Sequence, residues 1–119
     1  MSITALAIYL VCIMTGGTCL FAEGAHVTEY APLMGGINCQ EPCELTASMT
    51  PVLYGTTAAC GPGIPFGTRV FVDQVGWRTC LDRGGAIEDD EVDVAVLPAE
   101  YLQRGISGYH DVVWVMEVD

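Results

Sequence analysis

The chain has 119 residues, room for one domain with a modest core. Fifteen acids against four arginines and no lysine leave a net charge of −11. That balance excludes nucleic acid and anionic membrane surfaces as partners, because both are held by neutralising phosphates with Lys and Arg. Six cysteines point instead to covalent staples for a small core.

The first 22 residues carry no charged side chain. Residues 3–14 (ITALAIYLVCIM) form an almost unbroken apolar run, and small residues follow at Thr15, Gly16, Gly17 and Thr18. This is the layout of a secretory signal peptide, without the usual basic start. A membrane anchor through residues 3–22 ranks second, since about 20 uncharged residues just span a bilayer. Lipidation at Cys19 and an extra buried strand or helix rank behind. The expected division is a leader over 1–22, holding Cys12 and Cys19, and a folded domain over 23–119, exported to the cell envelope or beyond.

Residues 26–31 (HVTEYA) read as a first strand, and a loop with Gly35, Gly36, Cys39, Pro42 and Cys43 follows. Residues 56–60 are a second extended piece. Gly61, Pro62, Gly63 and Pro65 force a turn before residues 68–73 (TRVFVD), which alternate with Val70 and Val72 on one face. Residues 77–81, 92–97 and 112–118 complete a set of six short strands. The single convincing helix is at 98–104, where Pro98 opens and Gly105 stops AEYLQR. Short strands at this spacing predict a mostly all-β fold, a closed barrel or sandwich.

Three strings then stand out: IPFGTRV at 64–70, DRGGAI at 82–87 and VDV at 92–94, with Asp93 eleven positions after Asp82. Together with a TPVLYG stretch before Thr56 and the closing VVWVME, they resemble the three-aspartate domain over residues 27–118. That domain is the double-psi β-barrel of the membrane-bound lytic transglycosylase A family and of small secreted cell-wall proteins. The resemblance implies a six-stranded double-psi β-barrel with one short helix. It also implies cleavage of peptidoglycan or a related glycan, with Asp82 as general acid and Asp93 in support. Two positions depart from the family's pattern. Cys60 and Gly61 replace the first aspartate and its proline, and Arg83 replaces the usual threonine after the second aspartate.

A general acid must stay protonated near neutral pH. Ile87, Val92 and Val94 would desolvate the site, and two close carboxylates would resist joint ionisation. Gly84 and Gly85 would let the backbone approach a sugar or take a positive φ. Tyr54 and Trp77, with Tyr30, are candidates for stacking on sugar rings, although packing is the ordinary role of aromatics in a small barrel. An aspartate before Gly-Gly is also an ordinary turn former. The cysteines after the leader divide into Cys39–Cys43 and Cys60–Cys80, one of three pairings that four cysteines allow. Glu88, Asp89, Asp90 and Glu91 match no calcium loop, His26 and His110 are too few and too distant for zinc, and Ser48 and Ser107 sit in no nucleophile motif. No cofactor and no metal is expected. The rival to an enzyme is a non-catalytic barrel that binds glycan or serves as an interaction module, such as an exported accessory or virion surface protein.

Overall fold

A computed structural model describes residues 1–31 and 45–116. Helix α1 (Ile3–Met14) precedes six strands: β1 (Thr18–Tyr30), β2 (Thr57–Cys60), β3 (Arg69–Val72), β4 (Gly76–Arg83), β5 (Val92–Ala95) and β6 (Gly108–Met116). They close into a barrel in the order β1-β5-β2-β4-β3-β6, with β6 returning to β1. Two pairings are parallel, β1 with β5 and β2 with β4, and the rest are antiparallel. The mostly-β barrel expected from the sequence is therefore the observed architecture.

Alternation along each strand builds the core. Val27, Ala58, Cys60, Val70, Val72, Cys80, Val92, Val94, Val112 and Trp114 point inward and are fully or almost fully buried. The valines are suited to this because a branched Cβ packs well on a pleated surface. Cys60 and Cys80, on neighbouring parallel strands, form a disulfide inside the barrel. Among the readings that the sequence left open, this is the one observed for that pair. Cys39 and Cys43 lie outside the described residues.

Three elements differ from expectation. β1 begins at Thr18 rather than His26, so the end of the apolar leader is barrel wall. Thr18 to Ala22 pair with Met116 to Val112, and a bulge at Glu23 and Gly24 restores the inward phase for Ala25 and Val27. Hydropathy alone cannot separate a leader from a strand buried in a barrel. Second, Cys12 and Cys19, expected to lie outside the folded part, form a disulfide that ties α1 to β1. Third, the predicted helix at 98–104 shrinks to a 3-10 turn over Pro98–Glu100. Glu29, buried on β1, accepts hydrogen bonds from Leu102 N (3.2 Å), Ser107 N (3.2 Å) and Ser107 Oγ (2.6 Å). Those contacts pull the segment out of helical register, and Leu102 takes a positive φ of 60°. A tertiary hydrogen-bond set overrides a local preference.

Candidate active site

Asp82 and Asp93 lie on one face of the barrel because the strand registers put them there. Thr28 on β1 is paired with Asp93 on β5, Asp93 with Ala59 on β2, and Ala59 with Asp82 on β4. Directly paired residues project to the same side of a sheet, so Thr28, Asp93, Ala59 and Asp82 form a single cross-strand row. A bulge on β4 at Leu81 makes this possible. Cys80 pairs with Ala58 and Asp82 with Ala59, so the extra residue turns Asp82 away from the core that holds Cys80. Two strand spacings separate the aspartate backbones, about 10 Å. Ala59 is the residue of the row between them.

The two carboxylates have different surroundings. Asp82 accepts three hydrogen bonds, from Tyr30 Oη (2.8 Å), Ala47 N (2.8 Å) and Arg83 N (2.9 Å). In all three it is the acceptor. Asp93 accepts one, from Thr28 Oγ1 at 2.9 Å. Burial pushes its acid up to about 6, against the opposing Thr28 bond, and the negative charges of Asp82 and Glu29 push the same way. Tyr30, two residues beyond Thr28 on the same face of β1, is held well above its ordinary value, first by burial and then by the Asp82 charge. It remains a hydrogen-bond donor at any physiological pH.

Arg83 does not fold over the Asp82 carboxylate. Its guanidinium lies 4.0 Å from the centre of the Phe66 ring and donates to Ile64 O (2.5 Å) and Asp82 O (3.2 Å). The arginine at the family's threonine position is thus a strut under the IPFG turn.

Gly84 and Gly85 follow Asp82 in a turn. Neither is among the glycines with positive φ, and what excludes a side chain at Gly84 is Ile87, whose Cγ1 would sit 2.7 Å from an added Cβ. Gly61 and Gly63 receive Asp89 in the same way, and Gly63 N donates to its carboxylate at 2.8 Å. The loop after Asp82 is therefore docked on the loop before the IPFG turn. Tyr54 lies close enough to Tyr30 for its charge to be felt there. Trp77 is not brought to the aspartates. It sits at the start of β4, edge-on to Phe71 and beneath Arg69, whose guanidinium is 4.6 Å from the ring centre.

Glu88, Asp90 and Glu91 bring carboxylate oxygens within 4.8 Å of one another. Glu91 accepts from Glu88 N (3.0 Å) and pairs with His26 (3.3 Å), as a solvated acidic turn would. Both nitrogens of His110 face backbone carbonyls, Asp73 O at 2.9 Å and Ile106 O at 2.7 Å. A cleft of about 1050 Å³ lies at the barrel mouth between Leu20, Ala22 and Trp114 and the 83–90 loop, and neither aspartate lines it. The carboxylates that do line it are Glu88, Asp89 and Asp90, on the turn after Gly84 and Gly85.

Sequence reasoning missed Thr28, Ala47 and the bond from Tyr30 to Asp82. Only Thr28 left a signal, its i, i+2 spacing from Tyr30. Ala47 acts through its backbone, to which side-chain identity is blind.

No family model matches the chain, and no curated protein matches it. Solved structures do. Escherichia coli MltA lytic transglycosylase shares 24% identity at a TM-score of 0.50 over 63% of this chain. An aspartate-to-alanine variant of MltA in an apo form gives 22% and 0.50 over 63%, and MltA with bound chitohexaose 21% and 0.50 over 62%. The barrel is MltA-like in fold. The chain spans little more than a quarter of the MltA chain, 27 to 28%. The resemblance first drawn from IPFGTRV, DRGGAI and VDV thus reappears as backbone geometry.

Proposed function

We propose that this barrel cleaves peptidoglycan or a closely related glycan, with Asp93 as proton donor and Asp82 as the fixed charge beside it. The observation that carries the reading is the cross-strand row, in which one carboxyl is held protonatable by burial while its neighbour accepts three hydrogen bonds. The roles are reversed from the sequence expectation, because Asp93 is the half-buried acid with a single partner. In the reaction Asp93 gives its proton to the glycosidic oxygen as the C–O bond breaks. The ionised Asp93 then takes a proton either from the sugar's own hydroxyl, closing an anhydro ring, or from an attacking water. The chitohexaose bound to MltA supports a glycan as ligand for this type of barrel.

Export belongs to the same proposal. Two disulfides among the described residues suit an oxidising compartment, and the charge-free first 22 residues suit a signal or an anchor. Because Thr18 to Ala22 are barrel wall, any processing that preserves the fold falls before Thr18.

One observation favours a second reading, a glycan-binding barrel without catalysis. Cys60 stands where the family's first aspartate is expected and is consumed in the bond to Cys80. Incubation with purified peptidoglycan and mass spectrometry of the products separates the two. Anhydro-muropeptides from the wild type, reduced about 10²- to 10⁴-fold in Asp93→Asn, establish the enzyme. Intact glycan with measurable retention establishes the binding module.

A further inference from the structure

Helix α1 is apolar on both sides. One side carries Ala5 and Cys12, which are buried against the barrel, and Tyr9, whose ring packs on Phe21 at 5.6 Å between centroids. Three ties hold this side down: the Cys12–Cys19 disulfide, a hydrogen bond from Ser2 Oγ to Asp73 (2.8 Å), and the Ser2 amide on Asp111. The opposite stripe follows the i, i+4, i+7, i+8, i+11 spacing of a helix face: Ile3, Ala7, Leu10, Val11 and Met14. Ile3 and Met14 are 86% and 82% exposed, Val11 60% and Leu10 46%. A surface helix of a water-soluble protein would carry polar residues there.

We infer that α1 lies flat in the interface of a lipid bilayer, with its outer stripe in the acyl region and the barrel seated on the surface. Two observations choose the bilayer over another occupant. Every charged side chain of the chain lies at or after Glu23, so the exposed stripe belongs to a segment that hydrocarbon accepts whole, while the acidic body stays in water. A second copy is disfavoured by size. Twelve residues make a strip about 18 Å long and 10 Å wide, well short of the about 800 Å² that each partner gives to a stable interface. The same length keeps the helix in the plane, because crossing needs about 30 Å, and no helix of the described residues is long and apolar enough to cross. An interfacial helix held by apolar contact needs no Lys or Arg, and none occurs in the chain before Arg69.

The test is flotation of the full chain with phosphatidylcholine vesicles, beside sedimentation in their absence. The wild type is expected to float with the vesicles and to sediment as a monomer without them. Leu10→Glu/Val11→Glu keeps the barrel, read by its thermal transition, and lowers partitioning about a hundredfold, the loss expected when two large apolar side chains leave a hydrocarbon contact. Wild-type protein that stays in solution, floats no better than the double variant, or sediments as a dimer that the double variant abolishes would overturn the inference. So would exported protein whose intact mass lacks the residues before Thr18.

Discussion

Asp93 is where stability and chemistry oppose each other. Its acid rises from 3.8 to about 6 on folding, so the native chain holds a proton that the unfolded chain has released. The contribution of Asp93 to stability is therefore greatest below about pH 4, declines as pH rises towards 6, and is level above it, a loss of at most about 3 kcal/mol, while Glu91 and Asp111, whose acids are lowered, act in the opposite sense as pH falls. Asp93→Asn keeps an acceptor for Thr28 and removes the charge, so its denaturant midpoint should lack the decline of the wild type between pH 4 and 6 and be higher than the wild type's at pH 7. Under the proposed mechanism the same titration sets the activity profile. Turnover that depends on protonated Asp93 falls as pH rises through about 6, and Asp82→Asn, which removes a neighbouring charge, shifts that fall to lower pH. Tyr30→Phe leaves Asp82 with two backbone donors instead of three, at a cost of about 1 to 2 kcal/mol measurable in urea.

Strands and their staples carry the next level. The Cys60–Cys80 bond closes a loop with a sequence separation of 20 that contains the IPFG turn and ends two residues before Asp82. Replacing both cysteines with alanine should cost about 3 kcal/mol, a drop of 10 °C or more in Tm for a domain of this size. It should also reduce activity, since the β2–β4 register that sets Asp82 beside Ala59 is what the bond holds. Truncation tests the extent of β1. A chain starting at Thr18 retains the pairing of Thr18 to Ala22 with β6, whereas one starting at Glu23 leaves Val112 to Met116 an unpaired edge and should fail to give a sharp thermal transition.

For the molecule as a whole, a charge of −11 means that any neutral or anionic polymer it binds is held by local contacts rather than by bulk attraction. Glycan retention should change little between about 50 and 200 mM salt, the range over which a phosphate-binding protein loses orders of magnitude. The barrel's closure also explains how so acidic a chain holds together. Among the described residues the acids other than buried Glu29 lie on outer faces and loops, while the interior consists mainly of valines and alanines with Ile64, Ile106, Trp114 and one disulfide.

How much of this was legible depends on the range of the interaction. Val70 and Val72, Val92 and Val94 alternate within four residues, so their strands could be read directly, and the strings around Asp82 and Asp93 suggested the barrel before any coordinate. The 98–104 helix was misread because Glu29, some 70 residues away, competes for its amides. β1 was cut short because an apolar run shows hydropathy without showing what it packs against. Sequence by itself determined the sign of the charge, the strand-rich architecture and the identity of the two aspartates. Tertiary structure alone decided that Thr28, Asp93, Ala59 and Asp82 share a row, and that burial raises the acid of Asp93. Register and burial arise from pairings between distant strands, and a side chain's acidity follows what those pairings place around it.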